Sequence, residues 1–263
     1  MSYQREVFAN APLAYVACEA RFPLALSLTG EAALASLVEA FADTLPIPEV
    51  STFLPSPEMG AGDGPEKQLR FVDKAKTASV AVTRRSVSVE ATHYDAWDCF
   101  KPSVLRAIEA VAAVAPIVGV ERIGLRYINE IRVPDPVPDV AGWTRWIAAG
   151  VVSRLDPIPG LTTESTQAVI EMRGPGQRVV ARYAALVGSG VVGDQPLRRK
   201  TPATEGPFFV IDTDSYREAP GAEMLDCTSE ALSPVLDELH EPLGELFQRV
   251  ITDRSRQLFR REP

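Results

Sequence analysis

The chain has 263 residues, of which 46% are apolar and 24% charged, and a net charge of −8. That balance fits a folded protein with a sizeable core and excludes a disordered chain. The acidic total also argues against a general binder of duplex nucleic acid or anionic membranes, while leaving room for a local basic patch.

Cys18, Cys99 and Cys227 have no CxxC spacing and read as reduced thiols. The start, M-S-Y-Q-R-E-V, lacks a signal-peptide apolar run, and no apolar stretch is long enough to cross a bilayer. A cytoplasmic protein without a membrane partner is expected.

In chain order, residues 13–22 (L-A-Y-V-A-C-E-A-R-F) read as a first strand opened by Pro12 and ended by Pro23. Residues 29–45 read as a helix, with Leu34, Leu37, Val38, Phe41 and Leu45 at three- and four-residue spacing. Residues 47–66, rich in Pro, Gly, Ser and acidic groups, read as a long loop. Three short strands are expected at 68–73, 78–83 and 86–92, then a helix over 95–115 with Pro102 near its start.

Residues 119–133 (G-V-E-R-I-G-L-R-Y-I-N-E-I-R-V) alternate with period two. Ile123, Leu125, Tyr127, Asn129, Ile131 and Val133 share one parity; Arg122, Gly124, Arg126, Ile128, Glu130 and Arg132 share the other. One face is nearly all apolar and the other nearly all charged, as in a long strand with one face on a core. A short helix over 140–152 follows, then strands at 166–173, 178–187 and 208–214, the first two joined by Gly174-Pro175-Gly176. Residues 229–259 read as helical, with Pro242 expected to kink or split the element.

Both parts read strand, helix, three strands, helix. The expected fold is therefore α+β, with residues 1–117 and 118–263 as similar halves of an antiparallel sheet, or of one continuous domain, and helices packed on one face. By element order such an arrangement resembles duplicated saddle-shaped folds of the TATA-binding type, although the acidic total speaks against duplex DNA.

Four blocks resemble a known family: F-A-N-A-P-L-A-Y-V-A-C-E-A-R-F at 8–22, R-I-G-L-R-Y-I-N-E-I at 122–131, F-V-I-D-T-D-S-Y at 209–216 and L-H-E-P-L-G-E-L-F-Q-R-V-I-T at 239–252. They look like a sporadically distributed family of bacterial proteins of about this length, with no settled function and no catalytic residues to carry over. The resemblance implies an accessory role, of the kind found in phage-defence or toxin–antitoxin settings.

Several motifs invite a chemical reading. Residues 188–193 (G-S-G-V-V-G) spell G-x-G-x-x-G after a strand, with an acid about twenty residues on. A dinucleotide site also needs a helix starting at the glycines, and residues 194–206 carry two prolines and no helical stripe, so an irregular hairpin connection without a cofactor is expected. Asp212 and Asp214 share a strand face but have no third carboxylate nearby, and read as solvated strand-end acids or as partners for the arginines of the central strand. His93 and His240 read as capping or surface residues without a metal role. There is no G-x-S-x-G and no recognisable catalytic constellation.

The remaining candidate site is the charged face of the central strand, Arg122, Arg126, Glu130 and Arg132, with a second basic run at Arg198-Arg199-Lys200. Cross-strand ion pairing with Glu171, Asp212 or Glu90 is the plainer role. The functional role is to receive a small anionic ligand or a protein partner on an open sheet face or long loops. A non-enzymatic binding protein is expected on this basis. The rivals are a chaperone-like or antitoxin-like partner of a toxin or defence protein, and an enzyme with an unrecognised site.

Overall fold

A computed structural model describes residues 6–53, 65–152, 158–193, 196–202 and 204–261. Its elements are β1 (Leu13–Arg21), α1 (Glu31–Phe41), β2 (Ile47–Phe53), β3 (Glu66–Val72), β4 (Ala78–Val82), β5 (Ser86–Ala91), α2 (Trp97–Val114), β6 (Arg122–Ile131), β7 (Thr166–Gly174), β8 (Gln177–Val187), β9 (Pro207–Glu218), α3 (Ser229–Val250) and α4 (Asp253–Phe259). The strands form one sheet in the order β2-β3-β4-β5-β1-β6-β9-β8-β7, with every neighbouring pair antiparallel.

The period-two segment lies near the centre of that sheet, between β1 and β9. Its odd residues Ile123, Leu125 and Tyr127 share a core with Val16, Cys18 and Ala20 of β1 and with apolar residues of α1, α2 and α3. Val104, Ala107, Ile108 and Val111 of α2 and Leu232, Val235, Leu236, Leu239 and Leu243 of α3 supply the helical side of this core. A second cluster, around Ile131, Trp143, Ile147, Phe209 and Ile211, fills the space under the far end of the sheet.

Three expectations are corrected. The first part of the expected loop at 47–66 is the edge strand β2, paired with β3 from Ile47↔Val72 to Phe53↔Glu66; Pro48 is tolerated there because an edge strand has one unbonded side. Residues 54–64 lie outside the described residues. The expected helix at 140–152 is a short 3-10 turn, Val140–Arg145, capped by the Asp139 carboxylate on the Gly142 N–H. The first half thus has four strands after its helix and the second half three after a turn, so the element orders are similar but unequal.

Pro234 and Pro242 both lie inside α3, which runs unbroken to Val250. The helix ends where Ile251 pairs with Ile147, and Thr252 then caps α4 through the Ser255 N–H. Two further backbone bonds, Ala148 N–H to Val250 and Thr252 N–H to Trp146, fasten this break to the 3-10 segment. Helical propensity loses here to a local bridge between distant parts of the chain.

No helix of the described residues is long and apolar enough to cross a membrane. Cys18, Cys99 and Cys227 are all free thiols.

The two parities of β6 predict opposite costs. Ile123 is fully buried, so Ile123→Ala should lose about 2–5 kcal/mol by leaving a cavity. The Arg126 side chain is 45% exposed, and Arg182 also lies near its partner Asp212, so Arg126→Ala should lose about 1–2 kcal/mol. Urea melts of the two variants check this ordering, and an inverted order would mean that the faces are assigned backwards.

Candidate functional site

The residues expected to carry binding sit on three different structures. Arg126 makes a two-pronged pair with Asp212, with both N···O distances at 2.7 Å. Arg122 lies 3.4 Å from both Glu19 and Asp214, with its guanidinium 4.4 Å from the centre of the Tyr216 ring. These pairs bridge β1, β6 and β9, and Arg70–Glu90 continues the pattern on β3 and β5. The cross-strand partners are Asp212, Asp214 and Glu19, while Glu171 is exposed on β7. Burial raises the Asp214 pKa, with Arg122, Arg126 and Arg182 opposing it.

Glu130, Arg132 and Arg199 form a separate cluster that holds the connection between β8 and β9. The Glu130 and Arg199 side chains are 3% and 7% exposed and form an ion pair. Glu130 also accepts the backbone N–H groups of Val191 at 2.9 Å and Val192 at 2.8 Å. Arg132 donates to the carbonyls of Gly188 and Ser189 and stacks over Phe208. The G-x-G-x-x-G segment is thus an anion cradle whose anion is the chain's own carboxylate. Gly190 is needed for that fit: its φ is +143°, and a Cβ there would lie 2.7 Å from a Glu130 oxygen.

This connection continues as a strap over the end of the sheet. The Arg198 N–H donates to the Lys76 carbonyl at 2.6 Å, and the Arg198 carbonyl accepts from the Thr92 hydroxyl at 2.5 Å. The Arg198 side chain itself is exposed. The even face of β6 is therefore not uniformly open: Ile128 and Glu130 are buried, and Val192 of the strap packs with Ile128, Phe208 and Val210.

Lys200, next along the strap, lines a cavity of about 360 Å³ on the opposite face of β6. Tyr127 and Asn129 of β6 and Thr213 of β9 form its floor; His240, Leu243 and Phe247 of α3 form a wall; residues 6–13 close one side. Leu13 reaches this face because a β-bulge between Leu13 and Tyr15 reverses its parity relative to the rest of β1. The Tyr94 and Tyr127 hydroxyls lie 3.1 Å apart, and Tyr127 is 3.1 Å from His240 Nδ1. The His240 ring stacks on Trp97 at 4.2 Å, and the Trp97 indole N–H is held by Asp237, which Lys101 also binds.

His240 is therefore a buried member of a polar relay, which corrects the expectation of a capping or surface role. His93 is half exposed, 3.2 Å from Asp95. Among the described residues no group of three or more His, Cys, Asp or Glu side chains could hold a metal ion. Parity assigned Tyr127 to the core and gave no role to Asn129 or Thr213. The available signal was Asn129 itself, a polar residue in an otherwise apolar register.

No protein-family model and no curated protein sequence matches the chain.

The Glu130 clasp has a pH signature. Burial alone would raise the Glu130 pKa, but Arg199 and the Val192 and Val191 N–H groups together hold it below the ordinary carboxylate value. A depressed folded pKa contributes stability that is present above the unfolded value, about 4.3, and is lost as pH falls through the folded one. Glu130→Gln should therefore be less stable than wild type near neutral pH, with the gap closing as pH is lowered to about 3. Paired urea melts across that range measure it, and a gap independent of pH would remove the charge on Glu130 as its source.

Proposed function

We propose that this protein is a non-enzymatic binding protein whose ligand is a small organic anion held in the cavity between β6, β9 and α3, under the strap. The observation that carries this reading is the polar floor of that cavity. Tyr127, Asn129 and Thr213 occupy positions that face the protein interior, all less than 9% exposed, with His240 opposite them at 5%. Burying such groups costs free energy relative to apolar side chains, and here they converge on a space of ligand size.

The lining sets one cation, Lys200, beside two carboxylates, Glu6 and Asp95, and the cation is the group left for a ligand. Glu6 is bound by Arg256 and Arg260 and Asp95 lies 3.2 Å from His93, whereas Lys200 makes no ion pair with any other described residue. Tyrosine, asparagine and threonine groups supply directed hydrogen bonds, and Leu243, Phe247 and Leu13 supply apolar contact for the rest of the molecule. The charged face of β6 is a poorer receptor, because Arg126, Arg122, Glu130 and Arg132 already bind internal groups.

The connectivity supports an internal duplication as the origin of this architecture. In each half the first strand bonds the last, β1 with β5 and β6 with β9, and the strands between meander outwards to an edge. The two first strands then pair antiparallel at the centre, from Arg21↔Arg122 to Val16↔Tyr127, as a two-fold relation between halves requires. We place the helices on one face of this joined sheet and the ion-pair ladder on the other.

Lys200→Ala should leave stability within about 0.5 kcal/mol and weaken binding of an acidic ligand. Asn129→Leu should abolish binding while the chain still folds. Native mass spectrometry of the purified chain identifies any retained small molecule, and calorimetry with that molecule compares the variants. Equal affinity in wild type, Lys200→Ala and Asn129→Leu would refute the assignment of the cavity.

A further inference from the structure

Among the described residues β7, at one edge of the sheet, pairs with β8 alone, and every side chain after Thr166 is exposed. Val169, Ile170 and Met172 are among them, at 60%, 42% and 37% exposure. The opposite edge, β2, carries Pro48, which lacks a backbone donor and blunts pairing. Thr166–Gly174 carries no proline and retains a full set of backbone groups on its free side.

The direction of those groups follows from the hairpin. The β7–β8 register runs without interruption from Gly174↔Gln177 to Thr166↔Ala185 around the two-residue turn Pro175-Gly176, with Gly176 at φ +67°. The pair that closes such a turn is hydrogen-bonded, so by alternation Met172 and Ile170 also bond to β8. Arg173, Glu171 and Val169 then send their N–H and C=O groups outward.

We propose that β7 is a self-association edge, through which two copies of this chain join antiparallel across a two-fold axis at Met172, extending the sheet from one copy into the next. Charge chooses that register. An axis at Glu171 or at Arg173 sets like charges face to face, and an axis at Ile170 leaves Glu171 opposite Val169. Only the axis at Met172 sets Glu171 opposite Arg173 of the second copy, and does so twice. It also pairs outward-directed residues with outward-directed residues, so Glu171 and Arg173 exchange backbone bonds as well as charge.

The two faces of the joint are then of different kinds. Met172 and Ile170 lie opposite Val179 and Ala181 of β8, which belong to the cores on the helical side, so their apolar contact with the second copy extends that layer. The Glu171–Arg173 pairs lie on the other face, beside the ion-pair ladder. The overlap is short, and a contact of this size sits at the weak end of protein interfaces, so the dimer is expected at roughly 10–100 µM. This inference does not depend on the occupant of the cavity.

The test is sedimentation velocity of the full chain over a concentration series. Wild type should show a reversible monomer–dimer equilibrium. Arg173→Glu should weaken it about tenfold or more, and the exchange Glu171→Arg with Arg173→Glu should restore it. Register is read by cysteine cross-linking in a Cys99→Ser, Cys227→Ser background. At the axis the two Met172 Cα atoms would lie about 4.5 Å apart, within disulfide reach, so Met172→Cys should cross-link under mild oxidation and Ile170→Cys should not. A chain that stays monomeric to about 1 mM overturns the proposal. So does a dimer indifferent to Arg173→Glu, or one cross-linked equally well through Ile170→Cys.

Discussion

The pairing of β1 with β6 is the contact on which the sheet depends. Among the described residues β1 joins four strands, β2 to β5, to the rest of the sheet and β6 joins three, β7 to β9, and the two lie side by side in the middle of the order. Their register sets Cys18 beside Leu125 and Ala20 beside Ile123 on the buried face, with Ala17 beside Arg126 and Glu19 beside Gly124 on the other. A slip of one residue would carry the apolar set to the polar face and the arginines into the core, so the alternation of β6 fixes the alignment of both halves. The small residues Cys18 and Ala20 leave room above β1 for the side chains of α2 and α3, which contact each other over the same core.

Much of this was legible in the sequence because it rests on periodicity. The alternation of residues 122–131, the stripe of α3 and the Gly174-Pro175-Gly176 hairpin all report local geometry that tertiary contacts reinforce. What was not legible has identifiable competing causes. β2 hides in a segment with Pro48 and Glu49 that reads as loop, and it is a strand because β3 offers an edge to pair with. The helix expected at 140–152 gives way where Trp143, Trp146 and Ile147 pack with Val250 and Ile251 and backbone bonds from Ala148 to Val250 and from Thr252 to Trp146 tie the turn to that break. Neither outcome is visible without the neighbour that decides it.

The candidate site was less legible than the fold, for a related reason. A charged residue in a strand has the same sequence signature whether its partner is solvent, a ligand or a carboxylate three strands away. Glu130 and Arg199 are far apart in the chain and meet only because the strap returns across the end of β6. In the same way the G-x-G-x-x-G spacing correctly marks backbone N–H groups aimed at an anion, but the pattern does not say that the anion is internal. The cavity draws on residues from six separate segments, and only Asn129 interrupts a pattern strongly enough to be noticed.

The strap then explains how a cation on a long connection can serve a defined site. A lysine on a free loop samples many positions and loses side-chain and backbone entropy on binding, which weakens any contact it makes. Here the residues immediately before Lys200 are both fixed: Arg198 through its backbone to Lys76 and Thr92, and Arg199 through its side chain to Glu130. In the proposed binding function the backbone at Lys200 is therefore placed before a ligand arrives, and only the side chain remains to be ordered. The clasp on Glu130 and the cavity on the opposite face of the same strand are in this way joined by two consecutive residues: Arg199 holds Glu130, and Lys200 lines both the cavity and the space beside Glu130.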